Sequence, residues 1–193
     1  TGKTIAYLVA ALPIARARGK KLVVASATVA LQEQLLFRDL PDVMQHSGLN
    51  FDAALAKGRA RYVCLLKLDH QLSDHGADPL IPLYPDEFLG AEEELAGPIL
   101  EEMIHALGDG SWDGDLDAWP EQLSSSVRRL ITTDQGQCTG RRCPHIAQCS
   151  FFRAREGLEE ADVIVTNHDL VLSDLRLGGG VILPAPEDSL YVF

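Results

Sequence analysis

TGKTIAYLVAALPIARARGKKLVVAS, residues 1–26, is the stretch on which the fold class turns. IAYLVAALPIARARG has helical character and runs to Gly19, with Pro13 inside it to end or kink the helix early. KLVVAS at 21–26 is short and too apolar on both faces for a half-exposed strand, so it suits a strand buried in a parallel sheet. ATVALQEQLLFRDLPDVMQ then reads as a second helix, with apolar residues at 31, 35, 36 and 40 and Pro41 as its expected end or kink. Helix, strand, helix is the rhythm of an α/β sheet.

The rhythm breaks near residue 58. Pro and Gly become frequent between 76 and 120, AEEELAGPILEEMIHALG suggests one or two short acidic helices, and no run has the look of a buried strand. It resumes after 150. FFRAREGLEE reads as a helix, ADVIVTN at 161–167 as a buried strand, HDLVLSDLRL as a helix, GGG as a break and SLYVF as a further strand. Residues 1–57 and 151–193 are therefore expected to form one α/β domain, with 58–150 as a mostly helical insertion. Both ends look cut, and the chain reads as a fragment.

The 193 residues are 46% hydrophobic, enough for a real core, and carry a formal net charge of −11, which argues against general attraction to nucleic acid. The charge is uneven. Residues 78–121 hold thirteen acidic residues and no Lys or Arg, whereas the stretches on either side are net basic. Such a block is ordinarily a solvated face or loop. No apolar run approaches the roughly 18 residues of a membrane span, and there is no secretory signal, so neither a membrane partner nor a disulfide-forming compartment is expected.

Thr1-Gly2-Lys3-Thr4, followed at once by a helix, has the form of the end of a phosphate-binding loop. Glycine lets backbone N–H groups approach a phosphate, and the helix N-terminus adds partial positive charge. Lys3 would neutralise the β- and γ-phosphates of ATP, and Thr4 would hold Mg²⁺. The motif is short, and a chance match at a helix start competes with it. The strand that follows the helix at nucleotide-fold spacing supports the phosphate reading.

Four cysteines, Cys64, Cys138, Cys143 and Cys149, lie within or at the border of the insertion, three of them in twelve residues. Four thiolates suit a [4Fe–4S] cluster. Structural zinc prefers tighter Cys pairs, although His145 supplies a spare zinc ligand. Disulfides suit small secreted domains, and unrelated buried thiols are the remaining reading. Arg59 and Arg61 precede the first cysteine, Arg141 and Arg142 lie between ligands, and Arg153 and Arg155 follow, a cationic set suited to thiolate charge or to a nucleic-acid backbone.

TGKT at 1–4, ASATVALQEQL at 25–35, KGRARYVC at 57–64, the C-x₄-C-x₅-C run at 138–149 and ADVIVTNHDLVL at 161–172 together resemble the DinG branch of the XPD-like, superfamily 2 iron–sulfur helicases. The resemblance implies a RecA-like P-loop NTPase domain, a parallel sheet flanked by helices, with an inserted, mostly helical iron–sulfur domain, truncated before the D-E-x-H box. It implies a [4Fe–4S] cluster on the four cysteines, ATP and Mg²⁺ as cofactors, and 5′→3′ unwinding in DNA repair and replication. Single-stranded DNA, DNA junctions and DNA–RNA hybrids are the implied partners of a monomeric, cytoplasmic, nucleoid-associated bacterial enzyme. Ser26, Ala27, Thr28 and Gln32 match the family's DNA-backbone segment, Asn167 and His168 match its T-N-H turn, and the resemblance makes these six, with Arg59 and Arg61, the expected DNA contacts. The plain alternatives are a helix N-cap at Thr28 and another at Asn167. A fragment lacking the rest of the motor is expected to be inactive alone. The competing class is a zinc-stabilised nucleic-acid-binding P-loop ATPase that is not a helicase. A P-loop enzyme acting on small molecules is a third.

Overall fold

The computed structural model describes residues 2–74 and 97–193. Thr1 and residues 75–96, which include six of the thirteen acids of the acidic block, lie outside the described residues. The chain divides into two compact units, Thr1–Lys57 with Ala154–Phe193, and Gly58–Arg153.

The first unit is built on a four-stranded sheet of order β2-β3-β1-β4, with every pairing parallel. Its strands are β1 (Lys21–Ser26), β2 (Ala53–Leu55), β3 (Val163–Asn167) and β4 (Ser189–Val192). The two-sided apolar pattern of KLVVAS and VIVTN explains their central places. Leu22, Val24, Val163 and Val165 enter one buried cluster with Leu8, Leu12 and Ala15 of α1 (Lys3–Ala17). Val23, Ala25 and Ile164, on the alternate face, enter another with Leu158, Ala161 and Val171. Covering both faces of the sheet is what parallel pairing requires. Each fully buried Leu, Ile or Val adds about 1.5–3 kcal/mol relative to exposure. The α/β class expected from the sequence, a parallel sheet flanked by helices, is the one observed.

Neither proline ends its helix. Pro13 lies inside α1, which continues to Ala17 and closes on Gly19 at φ +64°. Gly19 donates to the Arg16 carbonyl and Lys20 to that of Ala15, the paired bonds of a glycine-terminated helix. Pro41 stands at the start of α3 (Leu40–Ser47), just after a π-helical turn at Leu35–Asp39 that continues α2 (Val29–Gln34). A proline cannot bond the carbonyl four residues back, and its ring crowds that carbonyl. Here that carbonyl belongs to Phe37, inside the wider π turn, so the chain stays helical through Pro41.

The second unit contains α4 (Leu65–Asp74), α5 (Gly97–Asp109) and α6 (Ser125–Ile131), and the first residues of α7 (Ser150–Glu160) also belong to it. Its core gathers Leu68, Leu100, Met103, Trp112, Leu116, Trp119 and Ile131. Trp112 and Trp119 meet edge to face at 4.7 Å. No strand is found among its described residues beyond an isolated antiparallel bridge, Tyr62 to Asp115. α8 (His168–Arg176), in the first unit, carries the fully buried Asp174. Its carboxylate accepts backbone N–H bonds from Gly180, Val181 and Ile182 and so fixes the glycine break.

Candidate functional sites

In the sheet unit, a cavity of about 290 Å³ opens at the carboxyl ends of β1, β3 and β4. Thr4, Tyr7, Ser26, Ala27, Gln34, Asp39, His168 and Phe193 are among its lining residues. Ligands of open parallel α/β sheets bind at this end of the strands. Gly2 caps α1 with φ +46°, a left-handed conformation that favours glycine, and its carbonyl accepts from Ala6. Lys3 and Thr4 form the first turn of that helix. Burial raises the Tyr7 phenol pKa; a hydrogen bond with Thr4 opposes that, and the Asp39 charge adds to it.

The remaining sequence candidates of this unit fall into two groups. Thr28 and Asn167 both cap helices: Thr28 accepts from the Leu31 N–H at 3.3 Å and Asn167 from the Leu170 N–H at 2.7 Å. The Ser26 hydroxyl donates to the Thr28 carbonyl at 3.1 Å, and Gln32 is buried. Ala27 and Thr28 remain exposed. His168 turns into the cavity rather than outward, and no sequence signal separates it from its neighbour Asn167 in this respect.

In the other unit, Cys64, Cys138, Cys143 and Cys149 all line one cavity of about 30 Å³, together with His145, Arg59, Tyr62, Phe151 and Phe152. All four thiols are free and half-buried. Among the described residues, no three or more His, Cys, Asp or Glu side chains converge tightly enough to hold a single metal ion. The loop that presents the thiols is ordered by its own backbone. Asp134 accepts from Gln137 and Cys138, and short helical turns at Gly140–Arg142 and Ile146–Gln148 precede Cys143 and Cys149. The Gly140 N–H points at the Cys138 sulfur at 3.4 Å. Burial raises the Cys149 thiol pKa; the Phe152 and Phe151 N–H groups at the start of α7 draw it back, and Cys138 and Cys64 add to the rise.

The arginines flanking Cys64 are engaged within this unit. The Arg59 guanidinium lies 4.4 Å from the Phe151 ring centroid and 5.9 Å from that of Phe152. Arg61 makes a two-pronged pair with Asp117, at 2.5 and 2.9 Å. Arg59 therefore ties the segment before Cys64 to the residues just after Cys149. Gly114 does the same by size. Its carbonyl accepts from Val63, its φ is +89°, and a Cβ there would stand 2.1 Å from the Ser150 hydroxyl. These ties could not be read from the sequence, because the partners lie 36 to 93 residues apart.

Comparison with known proteins gives these two sites a common frame. The chain is 41% identical over 191 residues to the ATP-dependent DNA helicase DinG of Photobacterium profundum, covering 99% of this chain. The chain is DinG-like. It is also 33% identical over 192 residues to the DinG proteins of Escherichia coli K12 and Salmonella typhimurium. No family model matches the chain. The DinG-like chain spans 26–27% of the length of these curated relatives. Among the described residues, no helix is long and apolar enough to cross a membrane.

Proposed function

We propose that this chain is part of an ATP-dependent DNA helicase that carries a [4Fe–4S] cluster. The observation that carries the proposal is the likeness to DinG helicases over 99% of the chain. ATP and Mg²⁺ would be held at Thr1–Thr4, with Lys3 on the phosphates and Thr4 on the metal. The location of Thr4 in a cavity at the strand ends supports this. A single strand of DNA would pass over Ala27 and Thr28, the exposed pair among Ser26, Ala27, Thr28 and Gln32. The full-length protein would move 5′→3′ as a monomer in the bacterial cytoplasm, in repair and replication, on junctions and DNA–RNA hybrids.

The donor set suits the cluster. Each cysteine of a [4Fe–4S] site binds a different iron, so its four sulfurs surround a space rather than converge on a point. Four free thiols lining one cavity without converging fit that description. When bound, such a cluster supplies one-electron chemistry and a rigid cross-link between its ligands. The chain's own part is to hold the thiolates and to aim N–H groups at two of the sulfurs, those of Cys138 and Cys149. On this reading Arg59 and Arg61 brace the ligand loops, with DNA contact falling to other basic residues. His145, lining the same cavity, favours zinc as the second reading, a zinc-stabilised nucleic-acid-binding P-loop ATPase that is not a helicase.

DNA-stimulated ATP hydrolysis and strand separation by the full-length protein test the proposal. The Lys3→Ala variant should lose both while keeping its fold. Hydrolysis that ignores DNA would point to the small-molecule P-loop class. DNA-stimulated hydrolysis without strand separation would point to the second reading.

A further inference from the structure

We infer that His168 binds the phosphate end of the nucleotide, and that it is not a DNA contact. The inference rests on the reading of Gly2–Thr4 as the phosphate site. Six polar side chains line the cavity at the strand ends: Thr4, Tyr7, Ser26, Gln34, Asp39 and His168. Five have partners inside the protein. Tyr7 is hydrogen-bonded with Thr4, Gln34 donates to Asp39 at 3.1 Å, and Ser26 donates to the Thr28 carbonyl. The sixth does not. His168 Nε2 is buried and has no hydrogen-bond partner among the described residues.

A buried polar nitrogen left unpaired is costly and uncommon. The ring is nevertheless held in place. His168 is the first residue of α8, directly after β3, and its ring lies against Phe193 at 5.8 Å between centroids. An imidazole held at the wall of a cavity shared with Thr4, with one buried ring nitrogen unpaired, needs only a small turn of the ring to donate to an anionic oxygen bound there. Phosphate oxygens are the acceptors that the proposed occupant brings there. The neighbouring Asn167 is already committed to the Leu170 N–H, so the two adjacent polar residues have separate tasks.

The test uses the full-length protein with His168→Gln, which keeps a donor, His168→Phe, which keeps bulk without one, and Lys3→Ala as the control for the phosphate site. Two quantities are read: affinity for Mg·ATP, with the KM and kcat of hydrolysis, and DNA affinity without nucleotide over a salt series. A hydrogen bond to a charged group corresponds to about a tenfold or larger loss of affinity. His168→Phe should weaken Mg·ATP binding by about that factor, His168→Gln should restore most of it, and neither should change nucleotide-free DNA affinity more than about twofold. The inference is overturned if His168→Phe leaves Mg·ATP binding intact while Lys3→Ala abolishes it. It is equally overturned if DNA affinity and its salt slope fall instead, the signature of a lost phosphate contact on DNA. If Lys3→Ala also leaves Mg·ATP binding intact, the phosphate-site reading itself has failed.

Discussion

Replacing Gly114 with alanine tests how the cysteine-bearing unit is held together. Gly114 sits at φ +89°, where an L-residue meets strain of about 1–2 kcal/mol. Its new Cβ would lie 2.1 Å from Ser150 Oγ, 2.7 Å from Ser150 Cβ and 3.0 Å from Val63 Cγ1. Ser150 is buried at 4% exposure and Val63 at 2%, so neither can swing clear into solvent. Overpacking of this kind costs about 1–3 kcal/mol. The expected loss of stability is therefore about 2–5 kcal/mol, the sum of strain and overpacking. The protein has two tryptophans, Trp112 and Trp119, both in this unit's core, so denaturant unfolding followed by tryptophan fluorescence reads the unit directly. Adding Ser150→Gly, and measuring that change alone to close the cycle, should recover the part due to the Ser150 clash and leave the backbone strain. On the proposed cluster reading, iron retention should fall with stability, because Gly114 packs against the residues next to Cys64 and Cys149. A Gly114→Ala chain within about 0.5 kcal/mol of the original would refute the reasoning.

The other expectations concern single contacts. Asp174→Ala removes the acceptor of three backbone N–H bonds at a fully buried site and should cost about 3 kcal/mol or more in thermal or denaturant unfolding. A change under 1 kcal/mol, on the order of one ordinary bond, would show that water replaces the carboxylate. Arg61→Ala should cost less than about 1 kcal/mol, since the Arg61–Asp117 pair is 42% and 25% exposed, and salt should shrink the difference. Burial, followed by the charges of Asp115, Asp113 and Asp117, raises the Tyr62 phenol pKa well above the ordinary 10.0. The folded state therefore keeps a proton that the unfolded chain loses, so this contribution is whole below pH 10 and declines as pH rises beyond it. Tyr62→Phe should flatten that alkaline decline in the fluorescence-detected stability, and an unchanged slope would assign it to other groups.

Much of the α/β unit could be read from the sequence because its central strands are buried on both faces. LVVA and VIV carry that requirement in their composition alone. β2 was not legible: Ala53–Leu55 is three residues long, and its place comes from pairing with Val163–Val165 on β3. The two prolines are accommodated in different ways. Pro13 is tolerated within a helix anchored by Leu8, Leu12 and Ala15, and Pro41 is absorbed by a π turn that no periodicity announces. The cysteines were legible as a set by their clustering, but the cavity that joins Cys64 to the other three depends on contacts across more than seventy residues. Charge marks Arg59 and Arg61 as candidate contacts for a nucleic acid. Only the structure supplies their partners, a pair of phenylalanine rings and an aspartate. Asn167 and His168 adjoin in the sequence, yet one caps a helix and the other faces the cavity, a division set by where β3 ends.

The most direct test of the account is the metal and sulfide content of the chain purified without oxygen. Four iron and four acid-labile sulfide per chain, on the order expected for one cluster on four thiolates, should appear with a broad visible absorption that disappears when Cys64, Cys138, Cys143 or Cys149 is replaced by alanine. A colourless protein holding about one zinc per chain and no sulfide would contradict it and favour the zinc reading.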